Sequence, residues 1–367
     1  MRIGRTIVIG GIVCMGLAAA QPRNPIFLNH ANSLAVSEIN GVTVQELKGN
    51  VKMTKDSMTV TCQNALYYPD SGRAIFRTDV EFRDPSRVLF ADQVVYNDFT
   101  EELEASSRVR IYQHDTLSVT SRRARFLERL GIGYLYDDVR VREQNRRVQL
   151  IGQLGYIDHN RQYVRVTGKP VMTEMDSVFN IITEVRGDTV EYFGDEKRVR
   201  VSGKVQILRD SLIASGTLLD YYTKDRTAIL IGDPEAIRDE NHITGDTMRL
   251  FFEEERLSKV EIVGNAVATS PADSGFAEPR NRMEGKRMTL WVDQSVLTRA
   301  DIEGTAIASY FVREKGEKRG MNVTSGDRLI VFFEDRRISR IRVEGGTQGA
   351  YTPQSLVKEE RADGPKP

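Results

Sequence analysis

The feature that most constrains this chain is a sentence written more than once. GDTMRLFFEEERLSKVEIVGNAVA, from Gly245 to Ala268, returns as GDRLIVFFEDRRISRIRVEGGTQG, from Gly326 to Gly349, with the same length and eight identical positions. Looser copies are GTLLDYYTKDRTAILIGDPEAI (216–237), GDTVEYFGDEKRVRVSGKVQIL (187–208), GQLGYIDHNRQYVRVTGKPVMT (152–173) and GKRMTLWVDQSVLTRADIEGTAIA (285–308). Weaker ones begin near Gln63, Asp92 and Ser121, and a degenerate one covers Asn32 to Met53, which makes about ten units. Self-similarity at a fixed step decides the architecture before any local signal does.

Each unit opens on Gly or Ser, runs through an alternating stretch, turns on polar residues, alternates again and often ends in Gly-x-Val/Ala. Side chains alternate along a strand, so Met248, Leu250 and Phe252 share one face while Thr247, Arg249 and Phe251 take the other. After the turn Val260 and Ile262 return to one face, and Gly264 marks a bulge or bend. Two strands of five to seven residues per unit is the reading. No stretch sustains helical i, i+3, i+4 spacing, and the openers at 187, 216 and 245 keep a 29-residue step. The sequence therefore predicts an all-β, elongated body of about ten two-strand repeats, in which each unit buries its apolar face only against its neighbours. At a strand spacing of ~4.8 Å the stack is roughly 50 Å long, and its two ends are open sheet edges. Later steps lengthen to about 40 residues, and 270–284 and 313–325 read as exposed insertions.

The N-terminus, MRIGRTIVIGGIVCMGLAAAQPRNP, has two arginines, an apolar run and Ala18-Ala19-Ala20, the layout of a secretory signal peptide over 1–20. A retained membrane anchor is the alternative. The apolar run falls short of the ~20 residues that span a bilayer. Ile12-Val13 before Cys14 do not suit a lipidation site. Removal of the leader leaves Cys62 alone, so no disulfide supports the fold. The 52 basic and 52 acidic residues balance, which gives no electrostatic argument for a nucleic-acid partner.

Chemical motifs are sparse. His30, His114, His159 and His242 stand apart with no second histidine at ligand spacing, so neither a metal nor another cofactor is expected. G-x-S-x-G, H-E-x-x-H and P-loop signatures are absent, and acidic groups such as Asp137-Asp138 and Glu253-Glu254-Glu255 fall at turns, where solvated carboxylates are the plainer reading. A non-enzyme is expected. Arg122 to Arg147 holds a local basic excess. Arg122, Arg123 and Arg125 suit phosphate contacts, and equally suit a solvated outer face alternating with Val139 and Val141.

The unit KGNVKMTKDSMTVTCQNALYYPDSGRA, Lys48 to Ala74, and its relative VSGKVQILRDSLIASGTLLDYYTKDRTA, Val201 to Ala228, resemble the OstA-like proteins. This is the LptA family, related to LptC and to the N-terminal domain of LptD. The likeness extends from about residue 32 to 350. It implies a twisted β-jellyroll, an open V-shaped sandwich, whose apolar interior shields the acyl chains of lipopolysaccharide or a similar amphipathic lipid on the way to the outer membrane. It implies other Lpt jellyrolls, or further copies of this chain, as head-to-tail partners through edge strands, and a periplasmic location. The expected groove residues are Met248, Leu250, Phe252, Val260 and Ile262, then Met288 and Leu290, then Leu329, Val331, Phe333, Ile341 and Val343. The expected layout is a leader over 1–20, a linker over 21–31, the jellyroll over 32–350 with a sub-boundary near 270–284, and a disordered tail over 351–367. The competing reading is a secreted β-solenoid with a closed core and a structural or adhesive role.

Overall fold

The computed structural model describes residues 26–356, apart from 114–116, 146, 210, 254–255, 273–279, 295, 315–316 and 335–336. The leader expected over 1–20 lies outside the described residues, as does the tail from 357. The described chain forms one antiparallel sheet of 26 strands, folded lengthwise into an elongated β-jellyroll. Fourteen strands run through the fold line unbroken: those from Val42–Lys55 to Val148–Asp158, then Arg198–Arg209 and Leu212–Tyr222, then those from Arg256–Pro271 to Glu317–Glu334. The other twelve form six pairs interrupted at that line, for example Thr227–Ile231 with Glu235–Arg238 and Asn241–Thr244 with Thr247–Glu253. Twenty spans result, two for each of the ten repeats. At ~4.8 Å per span the stack is about twice the roughly 50 Å expected, because both strands of a repeat lie side by side in each half-sheet.

The fold line is a row of paired left-handed residues. Gly264 and Asn265 have φ of 76° and 45°, and the same two-residue kink recurs at Gly49-Asn50, Thr78-Asp79, Ser107-Arg108, Asp137-Asp138, Gly203-Lys204 and Gly304-Thr305. Each coincides with a register shift, so the chain turns from one half-sheet into the other while the ladder resumes on both sides. Glycine removes the Cβ clash of this conformation, and Asn or Asp tolerates it best among the others. Where the kink is Gly168-Lys169-Pro170 or Gly232-Asp233-Pro234, the proline cannot donate to a ladder and the span breaks in two.

The Gly-Asp openers face these kinks. A Cβ on Gly245 would lie 2.3 Å from Ile262 Cγ2, because the inward side chain of the next span packs over it. Asp246 N–H then donates to Gly264 O at 2.9 Å, and Asp327 N–H to Gly345 O at 2.9 Å. The repeat signature therefore encodes the fold line.

The strands are longer than the expected five to seven residues, since the kink interrupts the alternation without ending the strand. The stretches read as insertions are hairpin arms as well. Arg256–Pro271 pairs with Arg280–Asp293, and Val296–Glu314 with Glu317–Glu334.

Gly264→Ala should cost roughly 1–2 kcal/mol, the penalty of a Cβ in left-handed backbone. Asn265→Gly, which relieves the same conformation, should stay within about 0.5 kcal/mol of wild type. Urea denaturation of the two variants measures both.

Candidate functional site

Register turns the period-2 pattern into continuous rows. On the inner face of one half-sheet, one residue per span lines up across neighbouring strands from Leu34 and Leu47, through Ala65, Phe76 and Leu135, to Leu230, Met248, Ile262, Ile302, Leu329 and Val343. All twenty members of the row are apolar. The interior divides into two clusters, one from Leu47 to Val139 and one from Val185 to Val331. Between them the inner rows carry Gly133, Gly152 and Gly155, which supply no side chain to bridge the gap.

The first cluster is tied across its rim. Lys55, at the end of a span in one half-sheet, donates to Asp98 of the other at 2.5 Å, and the two side chains are 11% and 9% exposed. Arg87 bonds Asp84 on its own side and Glu128 on the facing one, and its guanidinium lies 4.4 Å from the centre of the Phe126 ring below. Burial opposes the charge on Lys55, but the hydrogen bond to Asp98 and the charges of Tyr96 and Asp98 outweigh it. Its pKa therefore stands above the ordinary lysine value of 10.5.

The second cluster has a different rim. Three hairpins repeat one device over nine residues: Phe251 to Lys259, Trp291 to Arg299, and Phe332 to Arg340. A register shift follows the first aromatic residue in each. The hydroxyls of Ser258, Thr298 and Ser339 donate to the carbonyls of Phe251, Trp291 and Phe332, all at 3.2 Å. Outside, Lys259, Arg299 and Arg340 cover the same three rings at 4.0, 4.6 and 4.2 Å. Inside, the bulge places the pairs Phe252/Leu257, Val292/Leu297 and Phe333/Ile338 at the rim. Of these six, all but Val292 pack half-buried against the core.

The expected groove residues share this inner face. Met248, Ile262, Met288, Leu329 and Val331 are at most 2% exposed, and with Val260 and Leu290 they form the floor. Leu250, Phe252, Phe333, Ile341 and Val343 are half-buried around it. Sequence reasoning missed Leu257, Leu297 and Ile338, which sit beside turns. Their signal is an apolar residue five positions after Phe252, Val292 and Phe333, followed each time by Ser or Thr and a cation. Of the arginines weighed for phosphate, Arg122 pairs with Asp138, Arg123 with Asp137 and Arg125 with Glu102, all on the outer surface. Among the described residues no group of three His, Cys, Asp or Glu could hold a metal ion.

These features define a repeat β-jellyroll with an apolar interior that is clasped at one part and rimmed by half-exposed side chains at another. Residues 69–156, which hold most of the clasped part and run on past its last buried residue, Val139, match the family described as OstA-like protein. No curated protein matches the chain. The solved structures that match include the crystal structure of LptH, titled the LptA homologous periplasmic component of the conserved lipopolysaccharide transport device from Pseudomonas aeruginosa. It shares 19% identity over 32% of this chain and 82% of its own, with a TM-score of 0.28.

Lys55→Ala strands Asp98 in the rim and should destabilise the protein by roughly 2–4 kcal/mol. Because folding raises the Lys55 pKa, its contribution is fully present below pH 10.5 and is lost as pH rises through the folded value. Denaturation midpoints of wild type and variant should therefore lie further apart at about pH 8 than at about pH 11.

Proposed function

We propose that this chain is a non-catalytic, periplasmic lipid carrier of the lipopolysaccharide-transport type, and that acyl chains lie in the second cluster. One observation carries this reading: a fully buried apolar floor topped by a rim of half-exposed Leu250, Phe252, Leu257, Leu297, Phe333 and Ile338. The first cluster also has half-buried apolar side chains such as Met58, Leu117 and Val141, but there Lys55 and Arg87 reach across the rim, and the second cluster's aromatic and aliphatic rim carries no such tie among the described residues. Each methylene moved from water onto this surface is worth ~0.8 kcal/mol, so one acyl chain of about ten methylenes gains on the order of 8 kcal/mol before the cost of ordering it.

The ends of the sheet support the expected partners. Among the described residues the first strands, Phe27–His30 and Ser33–Ile39, pair on one side only, and Leu34 and Val36 of the inner rows are 51% and 62% exposed there. Such an edge suits strand addition by another jellyroll, which would continue the rows into its own interior. No helix among the described residues is long and apolar enough to cross a membrane. The family match and the expected leader support the periplasmic reading.

A photo-crosslinking residue at Leu250 or Phe333 should capture lipid, and one at Arg249, on the outer face, should not. Phe333→Asp should weaken binding of a fluorescent fatty acid at least tenfold, and Phe333→Leu, which keeps the apolar packing, should lower the unfolding midpoint less and keep most of the binding. Equal adducts at 249 and 250, or none at 250 and 333, would overturn the reading and favour a closed structural solenoid.

A further inference from the structure

The outer surface of the first cluster holds an arginine group of which two members, Arg110 and Arg140, serve neither the fold line nor the proposed groove. At the fold line, three neighbouring spans border an open surface depression of about 450 Å³ lined by Arg108, Arg110, Thr120, Arg122, Asp138 and Arg140, over Val109 and Ser121. Register sets Arg110 directly opposite Thr120, and Thr120 opposite Arg140, so two guanidinium stems flank one hydroxyl at about 4.8 Å on either side. Arg108 is held by Asp92 and Arg122 by Asp138. Arg140 has no ion pair or hydrogen bond among the described residues, and Arg110 has none either, lying 5.8 Å from the Phe90 ring and near enough to Asp92 to help lower its pKa. Four guanidiniums thus stand among three carboxylates, Asp79, Asp92 and Asp138, and Arg110 and Arg140 are the two without a direct ion pair among the described residues.

The repeats supply an internal control. The same rung positions of the second cluster carry Val267 for Arg110, Glu284 for Thr120 and Ile307 for Arg140, in the same register. The concavity at the second fold line, about 630 Å³, mixes Asp246 and Glu303 with Lys286 and Arg287. The kink therefore forms without arginines at these positions, and their presence in the first cluster calls for another cause.

We propose that Arg110, Thr120 and Arg140 bind a phosphate oxyanion, with Arg108 and Arg122 adding positive field from the side. Guanidinium groups present paired donors that match phosphate oxygens, and the hydroxyl between them donates a further hydrogen bond. The ligand class is a phosphate-bearing molecule, either a phospholipid headgroup or a soluble phosphate. The site opens on the outer surface, away from the apolar interior, so it stands whether or not acyl chains occupy the groove.

The test uses the full chain, inorganic phosphate in calorimetric titrations, and flotation with phosphatidylglycerol-containing vesicles against phosphatidylcholine alone. The comparison proteins are the Arg110→Gln/Arg140→Gln double variant and a Lys286→Gln/Arg287→Gln control, which removes the same charge from the second fold line. All four side chains reach the surface, and unfolding midpoints check that each protein is folded. Binding should fall at least tenfold in the double variant and persist in the control. Capture by phosphatidylglycerol vesicles without phosphate binding identifies the headgroup as the source, and phosphate binding without vesicle capture identifies a soluble ligand. Failure of wild type to bind either probe, or equal losses in both variants, overturns the site. The Phe333→Asp variant should bind these probes like wild type, which separates this proposal from the groove.

Discussion

Everything in this molecule depends on two consecutive residues adopting left-handed backbone at the same place in every rung. A flat sheet of twenty spans would expose both faces, and its apolar rows would have nothing to pack against. Folding the sheet along one line turns a single surface into a facing pair, and the kink does this at the cost of only a local break in the ladder. The requirement falls on few positions. Glycine meets it most cheaply, and Asp137-Asp138 meets it because Arg123 and Arg122 balance the two carboxylates on the outer surface.

Once the fold line exists, the two parts of the chain treat the opposite edges differently. In the first, charged residues reach across and hold the half-sheets together over a buried apolar interior. In the second, the hairpin tips keep their cations outside, stacked on aromatic rings, and turn aliphatic and aromatic side chains inward. The same scaffold thus supports a cross-section clasped by ion pairs and one whose described rim is lined by apolar side chains, and the difference lies in side chains at the rim.

Much of this was legible in the sequence because the relevant signals are local. The repeat, the opposed faces of Phe251 and Phe252 and the bend at Gly264 all follow from period-2 alternation and glycine chemistry. Strand length was not legible, since a two-residue kink resets the alternation and imitates a strand end. The rim ties were invisible for another reason: Lys55 and Asp98 are 43 residues apart, and nothing near either residue marks the other. Leu257, Leu297 and Ile338 were hidden by their position beside polar turns. The arginine cluster was only half seen, because Arg110 and Arg140 join Arg122 through register between strands and not through proximity in the chain.

Within the second cluster, the inner row from Val190 to Val343 also sets the energy surface felt by anything apolar lying along it. Its members differ in size but not in kind, and they recur at a spacing of about 4.8 Å, close to the width of a hydrocarbon chain. A molecule moving lengthwise would exchange one methyl-lined position for the next before losing contact with the first. Displacement by one rung would therefore change its energy little. The row behaves as a rail with shallow notches, along which position is weakly defined and direction must be imposed from outside.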